Sequence, residues 1–135
     1  MNVVFDTNVL VAAFITRGTC STVLEHCIRQ HVLITSEFIL NELRENLVLK
    51  FKCSTGEAED VVHLLRSQMK VVKPVNLDKD VCCDPDDVAV LGTAVAGDAA
   101  CIITGDKDLL VIERFRGTDI MSPSAFAEYE ARQIE

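Results

Sequence analysis

Short apolar runs alternate with longer segments of helical spacing along the first half of the chain. Asn2–Phe5 and Val32–Thr35 are almost continuously apolar or β-branched, which is typical of strands buried on both faces of a sheet. Met69–Lys73 predicts a third strand. The amphipathic segments between the strands predict helices, and these run over Thr7–Ile15, Ser21–Gln30, Ser36 to about Lys50, and Ser54 to about Gln68.

The second half of the chain, after Pro74, repeats this alternation. Ala100–Thr104 and Thr118–Met121 predict two further strands. The helices predicted around them run over Asp87–Ala96, Asp106–Ile112, and Ser122 to about Arg132. Strands that alternate with helices need crossover connections, which produce a mainly parallel sheet with helices on both faces. We therefore predict an α/β fold, a three-layer α/β/α arrangement in a single domain over residues 1–135.

The composition is ordinary for a globular chain of 135 residues, with 49% hydrophobic and 25% charged residues. The 21 acidic residues outnumber the 13 basic ones and give a formal net charge of −8. This charge disfavours a simple electrostatic grip on nucleic acid or on an anionic membrane. No apolar run approaches the ~20 residues of a membrane span, and the N-terminus lacks the basic segment of a signal peptide. We expect a cytoplasmic protein without a membrane partner.

The negative charge is concentrated in one third of the chain. Residues 74–113 contain nine acids and two lysines, whereas residues 44–73 contain six basic and four acidic side chains. An acidic surface alone indicates only solubility. If bound cations neutralised those acids, however, the basic stretch 44–73 would be able to follow the backbone of a polyanion.

Two of the acids are predicted to follow strands. Asp6 comes directly after the first strand, and Asp106 comes just after the strand Ala100–Thr104. In open α/β sheets the ligand site lies beyond the carboxyl ends of the strands, so these carboxylates face one crevice if their strands are near neighbours. Each residue alone is also a good candidate for a helix cap.

Two further acids are predicted on helices that pack on the sheet. Glu42 lies on or beside the apolar stripe of its helix, where an unpaired carboxylate is costly. Asp87 begins a helix with several acids in its first turn, and Asp84 and Asp86 compete with it for any role. Acids in a first turn also suit the helix dipole, so an ordinary structural role remains open for each.

The chemistry follows from the convergence of these carboxylates. Close carboxylates repel one another by roughly 3–4 kcal/mol at an effective dielectric of about 20, so a group of four requires a positive charge at its centre. Oxygen-only ligation points to Mg²⁺ or Mn²⁺ rather than zinc, and such ions commonly assist hydrolysis of phosphodiesters.

The histidines and cysteines do not suggest a softer metal site. His26, His31 and His63 have no partner at ligand spacing, so we expect each on a solvated helix face. The six cysteines lack zinc spacing. Cys101 is expected to pack as a small hydrophobe, and the adjacent Cys82 and Cys83 are interpreted as incidental thiols of a reducing compartment.

Four motifs resemble those of the PIN-domain ribonucleases, and especially the VapC-like toxins of toxin–antitoxin pairs. They read F-D-T-N-V-L, N-E-L, D-P-D-D-V-A-V-L-G-T-A and I-I-T-G-D-K-D-L-L, and the resemblance runs from Val3 to about Ser124. It implies a PIN-like fold. It also implies an acidic quartet with a frequent fifth metal-site acid and two polar residues that orient the acids or the water. These fall on Asp6, Glu42, Asp87 and Asp106, on Asp108, and on Asn8 and Thr104, respectively.

The same resemblance implies an activity and partners. Such proteins are Mg²⁺- or Mn²⁺-dependent endoribonucleases that cut RNA, commonly form homodimers, and are inhibited by a cognate antitoxin. Two other functions remain open. A phosphohydrolase of the haloacid-dehalogenase type would use Asp6 as its nucleophile, but Asn8 stands where that family usually has its second aspartate. The other is a catalytically silent binding module on the same fold.

Overall fold

The computed structural model describes residues 1–82 and 84–134, and these form six strands and seven α-helices. The strands are β1 (Asn2–Phe5), β2 (Val32–Thr35), β3 (Met69–Val71), β4 (Cys101–Ile103), β5 (Arg114–Phe115) and β6 (Thr118–Met121). The helices are α1 (Thr7–Ile15), α2 (Thr19–Gln30), α3 (Glu37–Leu49), α4 (Thr55–Gln68), α5 (Pro85–Ala96), α6 (Lys107–Leu110) and α7 (Phe126–Ile134). Short 3-10 turns cover Lys79–Val81 and Pro123–Ala125.

The strands form one sheet in the order β3-β2-β1-β4-β6-β5. Every neighbouring pair is parallel except β5 with β6, which confirms the prediction of a mainly parallel sheet. The chain proceeds from β1 outward to β3, then returns to place β4 on the other side of β1. The direction of winding therefore changes between β1 and β4.

The helices cover both faces of the sheet, which confirms the predicted three-layer architecture. α1 packs on α2 and α3, and α3 packs on α4. α5 lies in the connection from β3 to β4, which crosses the sheet in the direction opposite to that of the β1–β2 and β2–β3 connections. Because such crossovers are right-handed, α5 lies on the other face of the sheet. The core between the layers includes Val4, Leu43 and Ile102, none of which has exposed surface. In the described residues no single helix is long and apolar enough to cross a membrane, although α1 and α2, with a 105° bend between them, pass that test together.

The predicted elements differ from the observed ones mainly towards the C-terminus. The short strand Arg114–Phe115 was not predicted, because its hairpin turn carries Arg116 rather than the usual Asn or Asp before Gly117. Both turn residues have positive φ, 47° and 85°, as a tight hairpin between twisted strands requires. The last α-helix begins at Phe126, four residues later than predicted, because the segment after Ser122 first forms a 3-10 turn.

The prediction for the histidines is wrong for His31. Its side chain is only 11% exposed and contacts Glu130 of α7, as does the 39% exposed side chain of His26. The partner lies about a hundred residues along the chain, so local spacing gave no indication of it. Cys101 is fully buried, as expected, and Cys83 lies outside the described residues.

Gly92 holds the segment between β3 and α5 against that helix. Its carbonyl accepts a 3.1 Å hydrogen bond from the Val75 amide. A Cβ atom at position 92 would lie 2.5 Å from the Val75 carbonyl oxygen, which is closer than real Cβ contacts allow. Only glycine permits this approach, which fixes the connection that leads to the acidic start of α5.

Candidate active site

Two of the predicted acids follow β1 and β4, which are neighbours in the sheet. Phe5 and Ile103 are register partners, and the Asp6 amide extends the pairing by donating to the Ile103 carbonyl at 2.9 Å. The winding of the chain reverses between these strands, and in open α/β sheets such a switch point leaves a crevice beyond the carboxyl ends. Asp6 and Asp106 therefore lie where this class of fold binds ligands.

The Asp6 carboxylate is buried and fixed by two donors. Asp6 is 5% exposed; its Oδ1 accepts from the Thr7 amide at 2.8 Å, and its Oδ2 accepts from the Thr104 hydroxyl at 2.7 Å. The Thr104 oxygen in turn accepts from the Asp106 amide at 3.0 Å. One buried hydroxyl thus connects the residues that follow two neighbouring strands.

Glu42 reaches the same place from α3. Its Oε1 accepts a 2.8 Å hydrogen bond from the Thr7 hydroxyl. α3 is positioned by its contacts with α1 and by Ser36, whose side chain caps the helix. Thr7 therefore holds two carboxylates at once, because its amide binds Asp6 while its hydroxyl binds Glu42.

The start of α5 supplies the remaining acids. Asp84 is the N-cap, and its carboxylate accepts from the Asp86 amide at 2.9 Å. Asp87, in the first turn, is 5% exposed. Asp106 raises the pKa of Asp87, and Asp86 raises the pKa of Glu42, because the neighbouring carboxyl groups interact. Two ionised carboxylates are acceptors only, so each pair favours a proton or a cation between its members.

These acids surround one cavity of about 380 Å³. Its lining is almost entirely polar and consists of Asp6, Thr7, Asn8, Glu42, Glu45, Asn46, Lys50, Asp84, Asp86, Asp87 and Asp106. Asp108 lies beside it, and one oxygen each from Asp87, Asp106 and Asp108 fall within 4.8 Å of one another. The fold thus brings together residues from four separate segments of the chain.

The electrostatics of the cavity favour a cation. Burial raises the pKa of Glu42 to about 7, with a further rise from Asp86 and an opposing effect of the Thr7 hydrogen bond. Burial likewise raises the pKa of Asp87 to about 7, and the neighbouring Asp106 adds to the rise. The pKa of Asp6 is also raised, since burial outweighs its hydrogen bonds from Thr104 and Thr7. A metal cation would replace the retained protons and relieve the repulsion.

The donor set fits a hard dication. The side chains that converge are carboxylates, and oxygen donors suit Mg²⁺ and Mn²⁺. Asp87, Asp106 and Asp108, whose oxygens lie close together, would hold such an ion together with Asp6 and Glu42, which line the same cavity. Asp86 lies beside Glu42. Asn8 is exposed on the rim of the cavity, whereas Thr104 is buried beneath it.

Sequence reasoning missed three residues of this site. Thr7 is the central polar residue of F-D-T-N, but it was predicted only as the first residue of a helix. Its sequence position gave no indication of its hydrogen bonds to Asp6 and Glu42. Asp86 was treated only as a competitor of Asp87, yet it adjoins Glu42. Cys82 places its sulfur 3.9 Å from Asp87 Oδ2, so this thiol lies next to the acidic cavity.

The comparisons with known proteins agree with this architecture. The family model described as PIN domain matches residues 2–108. The structure of VapBC2 from Rickettsia felis, bound to a DNA fragment from their promoter, is similar with a TM-score of 0.62 at 14% identity, covering 89% of this chain and 97% of that one. The structure of VapBC-1 from nontypeable Haemophilus influenzae is similar with a TM-score of 0.65 at 15% identity, covering 92% and 99%. No curated protein sequence matches this chain. The family model covers well over half of the sequence, and the chain belongs to the PIN domain family.

Proposed function

We propose that this protein is a Mg²⁺- or Mn²⁺-dependent endoribonuclease and the toxin of a VapBC-type toxin–antitoxin pair. The observation that carries the proposal is the convergence of Asp6, Glu42, Asp87 and Asp106 on one polar cavity of a PIN domain. A single acid in this fold would be explained as a helix cap. Four acids from separate segments, with raised pKa values for three of them, are better explained by a bound cation.

The proposed mechanism assigns positioning and proton transfer to this chain's own side chains. When bound, Mg²⁺ or Mn²⁺ supplies positive charge that stabilises the phosphate and the leaving oxygen. Asp6 is oriented by Thr104 and Thr7, and Glu42 is oriented by the Thr7 hydroxyl. One carboxylate of the quartet accepts the proton of the attacking water. The phosphodiester is hydrolysed, with no covalent enzyme intermediate.

RNA binding is supported by Lys50, which lines the acidic cavity. It is the cation of the basic stretch 44–73 best placed to contact a phosphate next to the scissile one. Arg44 and Arg66 of the same stretch are in ion pairs with Glu59 and Glu37, so they are less available to RNA. The net charge of −8 then predicts weak RNA binding that requires the divalent ion.

A protein partner is supported by a second cavity next to the first. This cavity of about 340 Å³ is lined by Asn8, Val11, Ala12, Ile15, Thr16, Asn46, Lys50 and Phe51. It shares Asn8, Asn46 and Lys50 with the acidic cavity, so a partner seated there would obstruct access to the acids. The likeness to two VapBC structures supports an antitoxin as the partner, and the shared lining is our reason for seating it in this cavity. We also propose a homodimer that acts in the cytoplasm, where its RNA substrate is found.

Cleavage of a mixed RNA pool tests the enzymatic proposal. Cutting is expected with Mg²⁺ or Mn²⁺, and none after chelation. Asp6→Asn should abolish cutting while leaving the fold intact, because it removes a ligand and relieves repulsion. Asp60→Asn, an identical change on the exposed face of α4, is the matched control and should remain active. Full activity of Asp6→Asn in the presence of metal would falsify the assignment.

The silent binding module is the other alternative; loss of one or more of the four acids would be its signature, and all four are present in this chain. RNA that binds but stays intact under every metal condition would favour it. The phosphohydrolase alternative receives no support from the family match, and it leaves Glu42 without a role. The toxin assignment has its own test: expression should arrest growth, and co-expression of a small neighbouring gene should relieve the arrest. An active nuclease that does not arrest growth would indicate RNA processing instead.

A further inference from the structure

A second cluster of side chains that could bind a metal lies near the amino ends of the strands, opposite the acidic cavity. His26 is on α2, His31 directly precedes β2, and Glu130 is on α7. These residues lie at the amino end of β2, whereas the acidic cavity lies beyond the carboxyl ends of the strands. Nothing in the proposed nuclease mechanism uses them.

Both imidazoles present the same nitrogen to one carboxylate. His26 Nε2 lies 2.7 Å from Glu130 Oε2 and 3.0 Å from Oε1, and His31 Nε2 contacts the same Oε2. One ligand atom from each of the three side chains falls within 4.8 Å of the other two. Ligands bound to one zinc ion at about 2.0–2.2 Å lie within that separation, so small side-chain rotations would complete a site.

The two rings are held in place by a buried aromatic residue. Phe126 is 2% exposed and meets His26 edge-on at 6.5 Å between ring centroids and His31 at 5.8 Å. The histidine rings also meet each other edge-on at 5.9 Å. Edge-to-face packing of this kind restricts ring rotation, so the nitrogens are oriented towards Glu130 before any ligand arrives.

The cluster is open to solvent on one side. It borders a cavity of about 340 Å³ whose lining consists of Met1, His26, Gln30, His31, Glu130 and Gln133. Side-chain exposure is 39% for His26, 21% for Glu130 and 11% for His31. An ion would therefore reach the three ligands from solvent, and water would complete its coordination.

We propose that His26, His31 and Glu130 form a binding site for a borderline transition-metal ion of the Zn²⁺ class. Two imidazole nitrogens and one carboxylate oxygen are a donor set that suits such ions and not Mg²⁺. On binding, each imidazole coordinates through a deprotonated Nε2, with its ring proton at Nδ1. His31 Nδ1 then gives up the hydrogen bond that it accepts from the Met1 ammonium at 3.2 Å, and Glu130 exchanges its hydrogen bonds with the two histidines for one metal bond. The ion joins α7 to α2 and to the start of β2, which stabilises the attachment of the C-terminal helix.

Zinc titration by calorimetry tests this site. The Asp87→Asn protein is the background, because it weakens the acidic cavity as a competing site. One Zn²⁺ per chain is expected, and excess Mg²⁺ should not displace it. His26→Ala and Glu130→Gln should each weaken zinc binding by at least about tenfold. His63→Ala, at an exposed position on α4, is the matched control and should bind zinc unchanged.

Imidazole NMR of the unmutated chain gives a readout that does not depend on how the variants fold. Zinc should shift the ring nitrogens of His26 and His31 and leave those of His63 in place. It should also raise the melting temperature by several degrees, since binding to the folded state alone stabilises it. Zinc affinity equal in the His26→Ala and background proteins, or His26 and His31 resonances unmoved by zinc, would overturn the proposal and leave a hydrogen-bonded cluster only.

Discussion

The two ends of the sheet carry titratable clusters of opposite character. Beyond the carboxyl ends of the strands, carboxylates crowd together and their pKa values rise, to about 7 for Glu42 and Asp87. Near the amino ends, Glu130 accepts from His31 and His26. These hydrogen bonds lower its pKa, although burial opposes them. Ionisation of the clustered carboxyl groups is thus unfavourable at one end of the sheet. At the other end, ionisation of Glu130 is favourable because it strengthens the hydrogen bonds with the histidines.

This difference shows how stability and binding are divided in the fold. The acidic cavity destabilises the protein when no metal is bound, because its ionised carboxylates are stabilised only when a cation binds between them. The histidine cluster stabilises the apo protein through its own hydrogen bonds. A site of the first kind signals a ligand more strongly than one of the second kind, because stability alone does not explain it.

The largest expected effect is loss of RNA cleavage in Glu42→Gln. Removing a proposed metal ligand should reduce the rate by more than the about 10- to 100-fold that supporting residues of metal sites contribute. Glu25→Gln, an exposed change on α2, should cut RNA normally. Zinc binding at the histidine cluster should be unaffected by either change. A changed zinc affinity in Glu42→Gln would show that the two sites are coupled and would contradict their independence.

Thr7→Val should reduce cleavage by about 10- to 100-fold. The valine keeps the shape and the backbone amide but removes the hydroxyl that holds Glu42. Thr7→Ser restores that hydroxyl and should recover most of the activity. The reduction should appear in kcat and in the Mn²⁺ concentration that gives half-maximal rate. A valine variant as active as the parent, or a serine variant no more active than the valine variant, would contradict the role of this hydrogen bond.

Thermal melting across pH should separate the two ends by the sign of their effect. Glu42 and Asp87 have ordinary pKa values of 4.5 and 3.8 and values of about 7 in the fold. Between these values the folded chain holds more protons than the unfolded chain, so the free energy of unfolding falls as pH rises. The chelated protein should lose several degrees of melting temperature from about pH 5 to about pH 8, and saturating Mn²⁺ should remove that loss. Asp87→Asn should show a shallower loss; an unchanged slope would contradict the assignment.

The smallest expected effect is that of Glu130→Gln without zinc. The change weakens the hydrogen bonds to His26 and His31, and we expect it to lower the free energy of unfolding by about 1 kcal/mol. The lowered pKa of Glu130 contributes stability above its ordinary value of 4.5, and that contribution is lost as pH falls further. Denaturant melts at about pH 7 and about pH 3 should show a clear difference between variant and parent only at the higher pH.

Most of the fold was predictable because its signals are local. Serine caps at Ser36 and Ser54, the apolar runs of β1 and β2, and Asp84 at the start of α5 all act within a few residues. The hairpin strand β5 escaped prediction because two residues carry too little pattern. Its partner strand and its turn, rather than its own sequence, make it a strand.

The candidate site was predictable only in part for the same reason. The position of Asp6 and Asp106 after strands is visible in sequence, and neighbouring parallel strands then bring them together. The roles of Thr7 and of Glu130 depend on partners 35 and about a hundred residues away. The hydrophobic periodicity of the sequence does not indicate such contacts, since they arise when whole helices pack together.

The strand order has a consequence for synthesis on the ribosome. β4 pairs directly with β1, so the first and last acids of the quartet meet only after the about one hundred residues between them have emerged. A growing chain that has already folded its first helices still lacks the second wall of the cavity. Premature termination anywhere before Asp106 would therefore yield a fragment that is unable to assemble the acidic centre.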